Sequence, residues 1–542
     1  MKTPPPQKQA TEATTGPVST RNKWALPLLL LLALAGAAGV AERLWLTGLG
    51  PRHSYPWDHP DNVQMGRAAS EHGLFRAYGV PVSQVPSVPT RYWVEANQTF
   101  VVITRGAVRP VNYPPLGLTL FWAQSSLLDA VAPGQPVNTF TSRLVMSLAS
   151  LLGEIIAAVG AFLLVRRLVG TNAGILAAAI VWVLPPLAMD GFLWGQTDAW
   201  FIAPALFTIL ALLKGRWATA GILAAVTTLL KPHGLFLGPI VLFAAAILPV
   251  APGEVALSIV AKRIARLAGA GLATVFLVTL PWTIADGTAW LQRAYLDNFT
   301  TQAYEETTLK AFNVWYLDAL LHDSDLAPVL DPRGTILGVA KDSWGKLLVL
   351  AALVALAVLY FRKFPRKNAP LAVVLFSAVW LWSTFLWPTR VHERYLMYAI
   401  PLMVICSFPL KRLWPAALAI ILVGSAELCH WSWLSPAAGH LVHPRRVREV
   451  YAGMQALAHQ RGVRMPTPGD ALQYAQEEAR AGSPAYQAAR AKTEGLEWFL
   501  TLACLLGYGW AFAAPFLKLG GADAPPISPP PPGKRVPGAK RK

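Results

Sequence analysis

The sequence GPRHSYPWDHPDN, residues 50–62, opens a polar segment that continues to Tyr113 and separates the first two hydrophobic stretches of the chain. Hydrophobic membrane proteins usually connect their helices with short loops, and ordering a loop costs roughly 1–2 kcal/mol of backbone entropy per residue. The length of this segment therefore indicates that it has a function beyond connecting two helices. We expect it to form a cap on one surface of a membrane domain and to carry a catalytic carboxylate.

The composition is that of a polytopic membrane protein. Of the 542 residues, 54% are hydrophobic and only 14% are charged, whereas soluble domains carry about 25% charged residues. The net charge of +18 does not indicate nucleic-acid binding, because many basic residues stand in short clusters between apolar runs. That distribution is typical of topogenic charge, with anionic lipid as the nearby polyanion. The three scattered cysteines predict neither a disulfide framework nor a metal site.

The hydrophobic runs predict an all-α bundle of about twelve transmembrane helices. The predicted spans are 24–46, 139–165, 172–190, 198–213, 217–230, 234–250, 265–282, 346–361, 370–387, 396–410, 413–430 and 496–517. The corresponding domains are a disordered cytoplasmic tail (1–23), a transmembrane module (24–430) containing an extracytoplasmic loop (47–138), an extracytoplasmic helical segment (431–495), the last helix (496–517) and a disordered basic cytoplasmic tail (518–542).

The basic clusters test this topology. With the N-terminus inside, nearly every short cluster falls on the cytoplasmic face, as the positive-inside rule requires. These clusters are Arg166-Arg167, Lys214 with Arg216, Lys262-Arg263, Arg362-Lys363, Lys411-Arg412 and Lys534-Arg535. The polar motifs then collect on the opposite face. The arginine-rich 431–495 region would lie there too, which is tolerable because long loops translocate largely regardless of charge.

Six motifs, in this order, carry a resemblance to a known family. They are Asp58 with Asp61, Asn112-Tyr113-Pro114-Pro115, Trp194-Gly195-Gln196-Thr197-Asp198, Lys231-Pro232-His233, Ala311-Phe312-Asn313-Val314-Trp315 and His392-Glu393-Arg394-Tyr395. Together they resemble the motifs of integral-membrane GT-C glycosyltransferases, in particular bacterial mannosyltransferases related to the GPI mannosyltransferase 2 group. The resemblance covers roughly residues 40–430, and 431 onward has no recognisable motif.

The resemblance implies inverting transfer of a hexose, mannose before others, from a polyprenyl-phosphate donor to an acceptor outside the membrane. An attacking hydroxyl needs a carboxylate base, and the departing lipid phosphate needs Arg or Lys. Asp61 is the first candidate for the base because its spacing best resembles the family's loop pattern, and Asp58 is the second. The alternative is that either residue only caps a short helix.

The other motifs each have a functional and a structural interpretation. Arg390, His392, Glu393, Arg394 and Tyr395 predict a phosphate-binding and loop-anchoring site, or else an interfacial belt. The remaining candidates for substrate binding are Tyr113, Gln196, Asp198, Lys231, His233, Asn313 and Trp315. Three of them also have a structural explanation. The prolines after Tyr113 restrict the chain, Asp198 could match the dipole at the start of a helix, and Lys231 could be a snorkelling lysine.

Two alternatives to an enzyme remain open at this stage: a lipid or solute transporter, and an inactive scaffold of the same fold. Transporters tend to bind at the bilayer midplane and to show repeats, whereas these motifs gather at one interface without a recognisable repeat. The expected partners are membrane lipid, a lipid-linked sugar donor and a glycan, lipid or protein acceptor. A divalent cation could bind if Asp58, Asp61 and Asp198 converge. The composition favours a bacterial inner membrane with the site on its extracytoplasmic face, and an endoplasmic-reticulum protein would share the chemistry.

Overall fold

The fold is taken from a computed structural model. It describes residues 25–54, 58–94, 99–107, 110–249, 256–300, 307–309, 311–321, 334–364, 368–439, 450–456 and 484–517, with five more residues between 458 and 475. The predicted terminal tails, and most of the predicted 431–495 segment, lie outside the described residues.

The described chain is helical apart from two small hairpins. The helices are α1 (Ala25–His53), α2 (Asp58–His72), α3 (Pro115–Val131), α4 (Phe140–Leu168), α5 (Thr171–Trp182), α6 (Pro185–Trp194), α7 (Ala199–Leu213), α8 (Trp217–Leu230), α9 (Leu237–Ile247), α10 (Ala256–Asp286), α11 (Val314–Leu321), α12 (Lys341–Lys363), α13 (Ala369–Leu386), α14 (Ile400–Ser407), α15 (Trp414–Gly439) and α16 (Pro484–Ala513). The hairpins pair β1 (Val88–Val94) with β2 (Thr99–Arg105), and β3 (Thr335–Ile336) with β4 (Val339–Ala340).

Several shorter turns complete the chain. Between α10 and α11 stand the turns Ala289–Leu291, Gln292–Leu296 and Asp297–Thr300. The 3-10 turns are Leu74–Gly79, Val82–Gln84, Pro232–Phe236, Glu393–Tyr398, Lys411–Leu413 and Ala514–Phe516.

The predicted all-α polytopic membrane architecture is confirmed. Among the described residues, seven helices are long and apolar enough to cross a membrane, or eight if α5 and α6, bent by 45° at their junction, form one span. Three shorter apolar helices, Ala199–Leu213, Trp217–Leu230 and Pro232–Ile247, occupy further positions predicted as spans. Neighbouring elements cover much of their surface, and α7 is buried along nearly its whole length.

Several boundaries differ from the sequence prediction. Helix α10 is longer than the predicted span 265–282, and α15 and α16 both extend into the predicted segment 431–495. Helix α1 continues to His53 instead of ending at 46. The predicted loop 47–138 contains the helix α3, whose Pro114–Pro115 start fits the preference of proline for a first helical turn. The predicted span 396–410 is divided into the 3-10 turn Glu393–Tyr398 and the short helix α14.

The first loop packs on the membrane domain through α2. Nine of its fifteen residues are buried, although its sequence is polar. Helices α2 and α3 cross at close range because Gly66 has no Cβ, and a Cβ there would overlap the carbonyl oxygen of Phe121. The close contact fixes the N-terminal turn of α2, with Asp58 and Asp61, against the bundle.

Two buried arginines secure α1, α4 and the chain between them. Arg43 Nε donates to Glu154 Oε2 over 2.6 Å, and its guanidinium lies 3.8 Å from the ring centroid of Trp182. Arg143 donates to Asn138 Oδ1 over 2.7 Å and to the carbonyl oxygen of Leu193 over 2.7 Å. Each buried charge has a partner, as burial demands. The Arg43–Glu154 pair thus joins α1 to α4.

Candidate active site

A cavity of about 430 Å³ opens beneath the first loop. Its walls are α2, the turn Pro232–Phe236, the segment from Pro388 to Tyr395 and the start of α12. These segments are far apart in sequence, and the fold brings them together at one end of the bundle. A concave site with convergent polar groups is the usual form of a ligand site.

One wall is acidic. Asp58 and Asp61 both line the cavity from the first turn of α2. Asp61 Oδ1 lies 2.8 Å from Nη2 of the buried Arg105 at the end of β2. Asn62 donates to the carbonyl oxygen of Gly195 over 3.0 Å, and Gln64 donates to that of Arg105 over 2.9 Å. The carboxylates are therefore held on a fixed helix rather than on a free loop.

The Arg394 guanidinium joins three carboxylates. Its Nη1 lies 3.5 Å from Asp58 Oδ2 and 3.4 Å from Glu393 Oε1, while its Nε lies 3.7 Å from Asp198 Oδ2. Arg394 is only 8% exposed, and Asp198 is fully buried. A guanidinium is suited to this position because it stays protonated and presents several N–H donors in one plane. Through Arg394, the first loop is linked electrostatically to the bundle.

Behind the cavity wall, Asp198 accepts hydrogen bonds from two side chains of distant segments. Lys231 Nζ and Tyr398 Oη both donate to its Oδ1, the second over 2.5 Å. The backbone N–H of Asp198 donates to Asp190 Oδ2 over 3.3 Å. Lys231 is buried in this pair, so the snorkelling interpretation is wrong for it. Gly195, with a left-handed φ of 76°, makes the turn that leads into this position.

Another part of the cavity lining is basic and aromatic. Arg390, His392, His233 and Tyr395 line it, and the rings of His233 and Tyr395 lie 4.2 Å apart. Arg390 has a left-handed φ of 60°, which is uncommon for a residue with a Cβ and concentrates at functional sites. Its backbone N–H donates to the carbonyl oxygen of Thr307 over 2.8 Å. In the described chain, Arg390 Nε has no hydrogen-bond partner.

Burial and neighbouring charge set the protonation of this loop. Burial lowers the pKa of His392, and the adjacent Arg394 lowers it further, so the ring is neutral at pH 7. Burial would raise the pKa of Glu393, but its hydrogen bond with His392 and the charges nearby leave that pKa below its usual value. The pKa of Arg394 is raised well above its usual value, because Asp58 and the other carboxylates more than offset burial.

The cavity brings together most of the residues that the sequence singled out. Those lining it are Asp58, Asp61, Tyr113, Gln196, Lys231, His233, Arg390, His392, Arg394 and Tyr395. Asp198 and Glu393 stand directly behind the wall, in contact with Arg394.

Asn313 and Trp315 are not at the cavity, so direct sugar binding by them is not supported. Asn313 is fully buried, and its Oδ1 accepts from the backbone N–H groups of Trp315 and Tyr316 at the start of α11. Trp315 Nε1 donates to the carbonyl oxygen of Trp387 over 2.8 Å. Both side chains are engaged in holding segments together.

The three aspartates considered for a cation do not form a common ligand group. Asp58 and Asp198 are separated by the Arg394 guanidinium, and Asp61 pairs with Arg105. Within the described ranges, no group of three or more His, Cys, Asp or Glu side chains is arranged to hold a metal ion.

No family model matches the chain. No curated protein matches it either.

Solved structures give distant likenesses. The chain is similar to ArnT from Cupriavidus metallidurans bound to undecaprenyl phosphate, with a TM-score of 0.40, 15% identity and coverage of 90% of this chain and 76% of that chain. It is also similar to the Archaeoglobus fulgidus oligosaccharyltransferase in the apo form, with a TM-score of 0.36, 13% identity and coverage of 87% and 56%. A third similar structure is the archaeal oligosaccharyltransferase AglB from Archaeoglobus fulgidus in complex with an inhibitory peptide and a dolichol-phosphate. Its TM-score is 0.35 and its identity 14%, with coverage of 86% of this chain and 56% of that chain.

The chain thus spans just over half the length of the oligosaccharyltransferase chains, at 56%. At these TM-scores and identities the likenesses establish no activity, substrate or partner for this chain. None of the three is a GPI mannosyltransferase, so that finer relation stays a prediction.

Sequence reasoning missed several residues of the site. Asn62 lies one helical turn beyond Asp58, and Tyr398 lies one turn beyond Tyr395, so helical spacing could have indicated both. Asp342 and Lys346 form an i,i+4 ion pair over 2.7 Å at the start of α12 and line the cavity. Arg105 gave no signal, because only the tertiary fold brings the end of β2 to Asp61.

Proposed function

We propose that this protein is a membrane glycosyltransferase. It transfers a hexose, mannose before others, from a polyprenyl-phosphate donor to an acceptor, with inversion at the anomeric carbon. The acceptor is a glycan, lipid or protein on the extracytoplasmic side. The proposal rests on the residues of this chain and on the motif resemblance described above.

One observation carries the proposal: carboxylates and cationic groups line the same cavity. Asp58 and Asp61 supply carboxylates, and Arg390 is a cation among the lining residues. Glycosyl transfer needs both, because a base must take a proton from the acceptor while cations receive an anionic leaving group.

In the proposed reaction, the acceptor oxygen attacks the anomeric carbon and its proton passes to a carboxylate. The bond between the anomeric carbon and the phosphate oxygen breaks, and its electron pair leaves with the phosphate. Polyprenyl phosphate and the new glycoside are the products. Attack from the face opposite the leaving group gives inversion, so the base and the phosphate site must lie on opposite sides of the sugar.

The geometry favours Asp58 as the base, which reverses the order that the resemblance gave to the two aspartates. Asp61 is held by Arg105 over 2.8 Å, and such a charge-assisted contact weakens a carboxylate as a base. Asp58 lies 3.5 Å from Arg394, beyond the usual length of a hydrogen bond. Asp61 remains the alternative base, or binds the acceptor.

The leaving phosphate is assigned to Arg390, with His233 and His392 beside it in the cavity lining. Arg390 Nε has no partner within the described chain, so it can donate to an anion without breaking an existing bond. Lys231 and Arg394 lie close to carboxylates, so we assign them to shaping the wall. Tyr113, whose hydroxyl is 3.4 Å from Gln196 Oε1, and Tyr395 offer surfaces for the sugar ring.

The proposed location is a bacterial inner membrane, with the cavity on the extracytoplasmic side. Support comes from the basic clusters, which fall at the ends of helices away from the cavity motifs. Arg166 and Arg167 end α4, and Arg362 and Lys363 end α12, whereas Lys346 at the other end of α12 lines the cavity. The positive-inside rule then puts the cavity outside.

Turnover by the purified full-length protein tests the proposal. Short-chain polyprenyl-phosphate mannose and glucose are supplied with a panel of sugar and lipid acceptors, and release of polyprenyl phosphate is measured with and without EDTA. We expect Asp58→Asn to lower turnover at least about 100-fold, the scale of a lost general base, with donor binding retained. The EDTA arm decides whether a divalent cation is needed.

Asp129→Asn is the matched control, because Asp129 also pairs with an arginine, Arg67, but lies on α3 and does not line the cavity. It should turn over like the wild type. Loss of turnover in Asp61→Asn alone would move the base to Asp61. Full turnover in both variants would refute the assignment of a first-loop base, and donor binding without turnover for every acceptor would favour transport.

A further inference from the structure

Residues 307–309 and 311–313, which we call the brace, hold the segment that contains Arg390 and His392. Leu309 and His392 form a parallel bridge, in which the N–H of Leu309 donates to the carbonyl oxygen of Val391 over 3.0 Å. One step away, Arg390 N–H donates to the carbonyl oxygen of Thr307 over 2.8 Å. The backbone of 307–309 thereby holds both residues of 390–391 next to the cavity.

This pairing bears directly on Arg390. A residue with a left-handed φ of 60° costs about 1–3 kcal/mol and persists only when its surroundings enforce it. The two hydrogen bonds to residues 307 and 309 flank the strained residue and enforce that conformation. Without them, Arg390 would relax and its side chain would turn away from its position in the cavity wall.

The brace is itself attached to the interior of the membrane domain. Thr308 Oγ1 donates to the carbonyl oxygen of Ala311 over 3.0 Å, which joins 307–309 to 311–313. The backbone N–H of Phe312 then donates to Glu427 Oε1 over 2.7 Å. Phe312 is fully buried and Glu427 is 1% exposed, so no water competes for this bond.

Glu427 is a carboxyl group within the apolar helix α15, and such groups are costly enough to be functional candidates. It does not line the cavity, and within the described residues its carboxylate accepts from the backbone N–H of Phe312. One helical turn on, His430 pairs with Glu497 of α16 over 2.7 Å, and its ring contacts Phe312. The end of the motif is thus held at two places by α15.

We propose that Glu427 is a positioning residue, which fixes Arg390 and His392 at the phosphate side of the cavity through the brace 307–309 and 311–313. The inference rests on the proposed function only for the identity of the anion. Asn313 has a related role, since it caps α11 and its Nδ2 donates to the carbonyl oxygen of Phe385 over 3.3 Å. The motif therefore serves the site without touching substrate.

The test pairs two measurements on the full-length protein in detergent. Hydrogen–deuterium exchange follows the amides of 388–395, with 119–131 of α3 as the internal reference, and short-chain polyprenyl phosphate is the binding probe. Glu427→Leu removes the acceptor for Phe312 N–H. It should speed exchange at 388–395 but not at 119–131, and should weaken binding of the probe about tenfold, equal to about 1.4 kcal/mol.

Glu427→Gln is the conservative variant, because its amide oxygen can accept the same N–H. It should keep exchange at the wild-type rate and binding within about twofold. The double variant Arg43→Leu/Glu154→Leu is the matched control for replacing a buried carboxyl group in an apolar helix, since that pair has no contact with the brace. It should leave both readouts at the wild-type level.

Leu309→Pro gives an independent result if Glu427→Leu does not fold. It deletes the N–H that bonds to Val391 and leaves Glu427 intact, and the same changes in exchange and binding are expected. Unchanged exchange at 388–395 in the folded variants would overturn the brace. Faster exchange with unchanged binding would overturn the positioning role. If wild-type protein does not bind the probe, the proposed donor fails, and exchange alone decides whether the brace exists.

Discussion

Two buried arginines of this protein, Arg394 and Arg43, show what separates a structural ion pair from a candidate active site. Arg43 faces one carboxylate, Glu154, at 2.5 Å, and both side chains are sealed from solvent. Arg394 is shared by three carboxylates at 3.4 to 3.7 Å, and it lines an open cavity. Burial alone does not distinguish the two.

The two sites differ in the length of their ion-pair contacts and in the number of carboxylates that share each arginine. Arg43 makes a short contact with Glu154 and lies over the ring of Trp182, so its guanidinium has little capacity left to bind a ligand. Around Arg394, the contacts are longer, at 3.4 to 3.7 Å, and three carboxylates share one guanidinium. A buried ion pair is weak support for stability, and the open cluster is better explained by chemistry. The following variants test this contrast, from the largest expected effect to the smallest.

Replacing Arg394 should have the largest effect. Arg394→Ala leaves Asp58, Asp198 and Glu393 without their shared cation, and we expect turnover to fall at least about 100-fold, the scale of losing one preorganised electrostatic group. Arg394→Lys keeps the charge but cannot span three carboxylates, so a loss of about tenfold or more should remain. Initial rates at saturating donor measure both. A lysine variant with wild-type turnover would show that only net charge matters.

Breaking the Arg43 pair should instead affect stability. Glu154→Leu leaves a buried arginine without its carboxylate and should cost about 3–5 kcal/mol. Arg43→Leu/Glu154→Leu removes both charges and should come within about 1 kcal/mol of the wild type. Thermal unfolding in detergent measures the difference, and turnover per folded molecule should not change in the double variant. A large loss of turnover there would place this pair in the active site.

Arg390→Gly should separate stability from activity. Glycine adopts a left-handed φ at no steric cost, so the variant should be more stable than the wild type by about 1 kcal/mol. It should also bind short-chain polyprenyl phosphate about tenfold more weakly, because the guanidinium is gone. Thermal unfolding and probe binding are measured on the same samples. Stabilisation with unchanged binding would remove Arg390 from the phosphate site.

The smallest effect should come from His392 and pH. Burial and Arg394 hold its pKa below 6.5 in the folded protein, so the unfolded chain binds the extra proton first. Stability attributable to the neutral ring is then complete above pH 6.5 and is lost as the pH falls below that value. His392→Gln should therefore lose less unfolding temperature than the wild type between pH 7 and pH 5.5. An equal loss in both proteins would assign the pH dependence to other groups.

Much of this arrangement could be predicted from the sequence, because composition and local patterns determine it. The low charge content and the basic clusters predicted the membrane architecture, and the order of motifs predicted ten residues that line one cavity. The helix α3 escaped prediction because Gln124, Ser125 and Ser126 interrupt its apolar pattern. The true surroundings of Asn313 could not be predicted, since an asparagine that caps a helix and one that binds a sugar have the same sequence signature.

The pairing of each aspartate depended on tertiary contacts. Whether Asp58 or Asp61 meets an arginine at short distance is decided by where β2 ends and where the turn after Pro388 returns, and neither is encoded near residue 58. Long-range contacts of single charged groups leave no periodic pattern. Sequence reasoning could therefore nominate both carboxylates but not rank them by their environment.

The cavity is lined by segments that are far apart in sequence, and this has a consequence for biosynthesis. At the usual 5–20 residues per second, roughly 15 to 65 seconds separate the synthesis of α2 from that of Arg394. During that interval Asp58 lacks its cation, and no cavity exists. A chain cut short anywhere before Arg394 therefore lacks the cation that Asp58, Asp198 and Glu393 share. On the proposed function, such a chain would be inactive and would not consume the sugar donor.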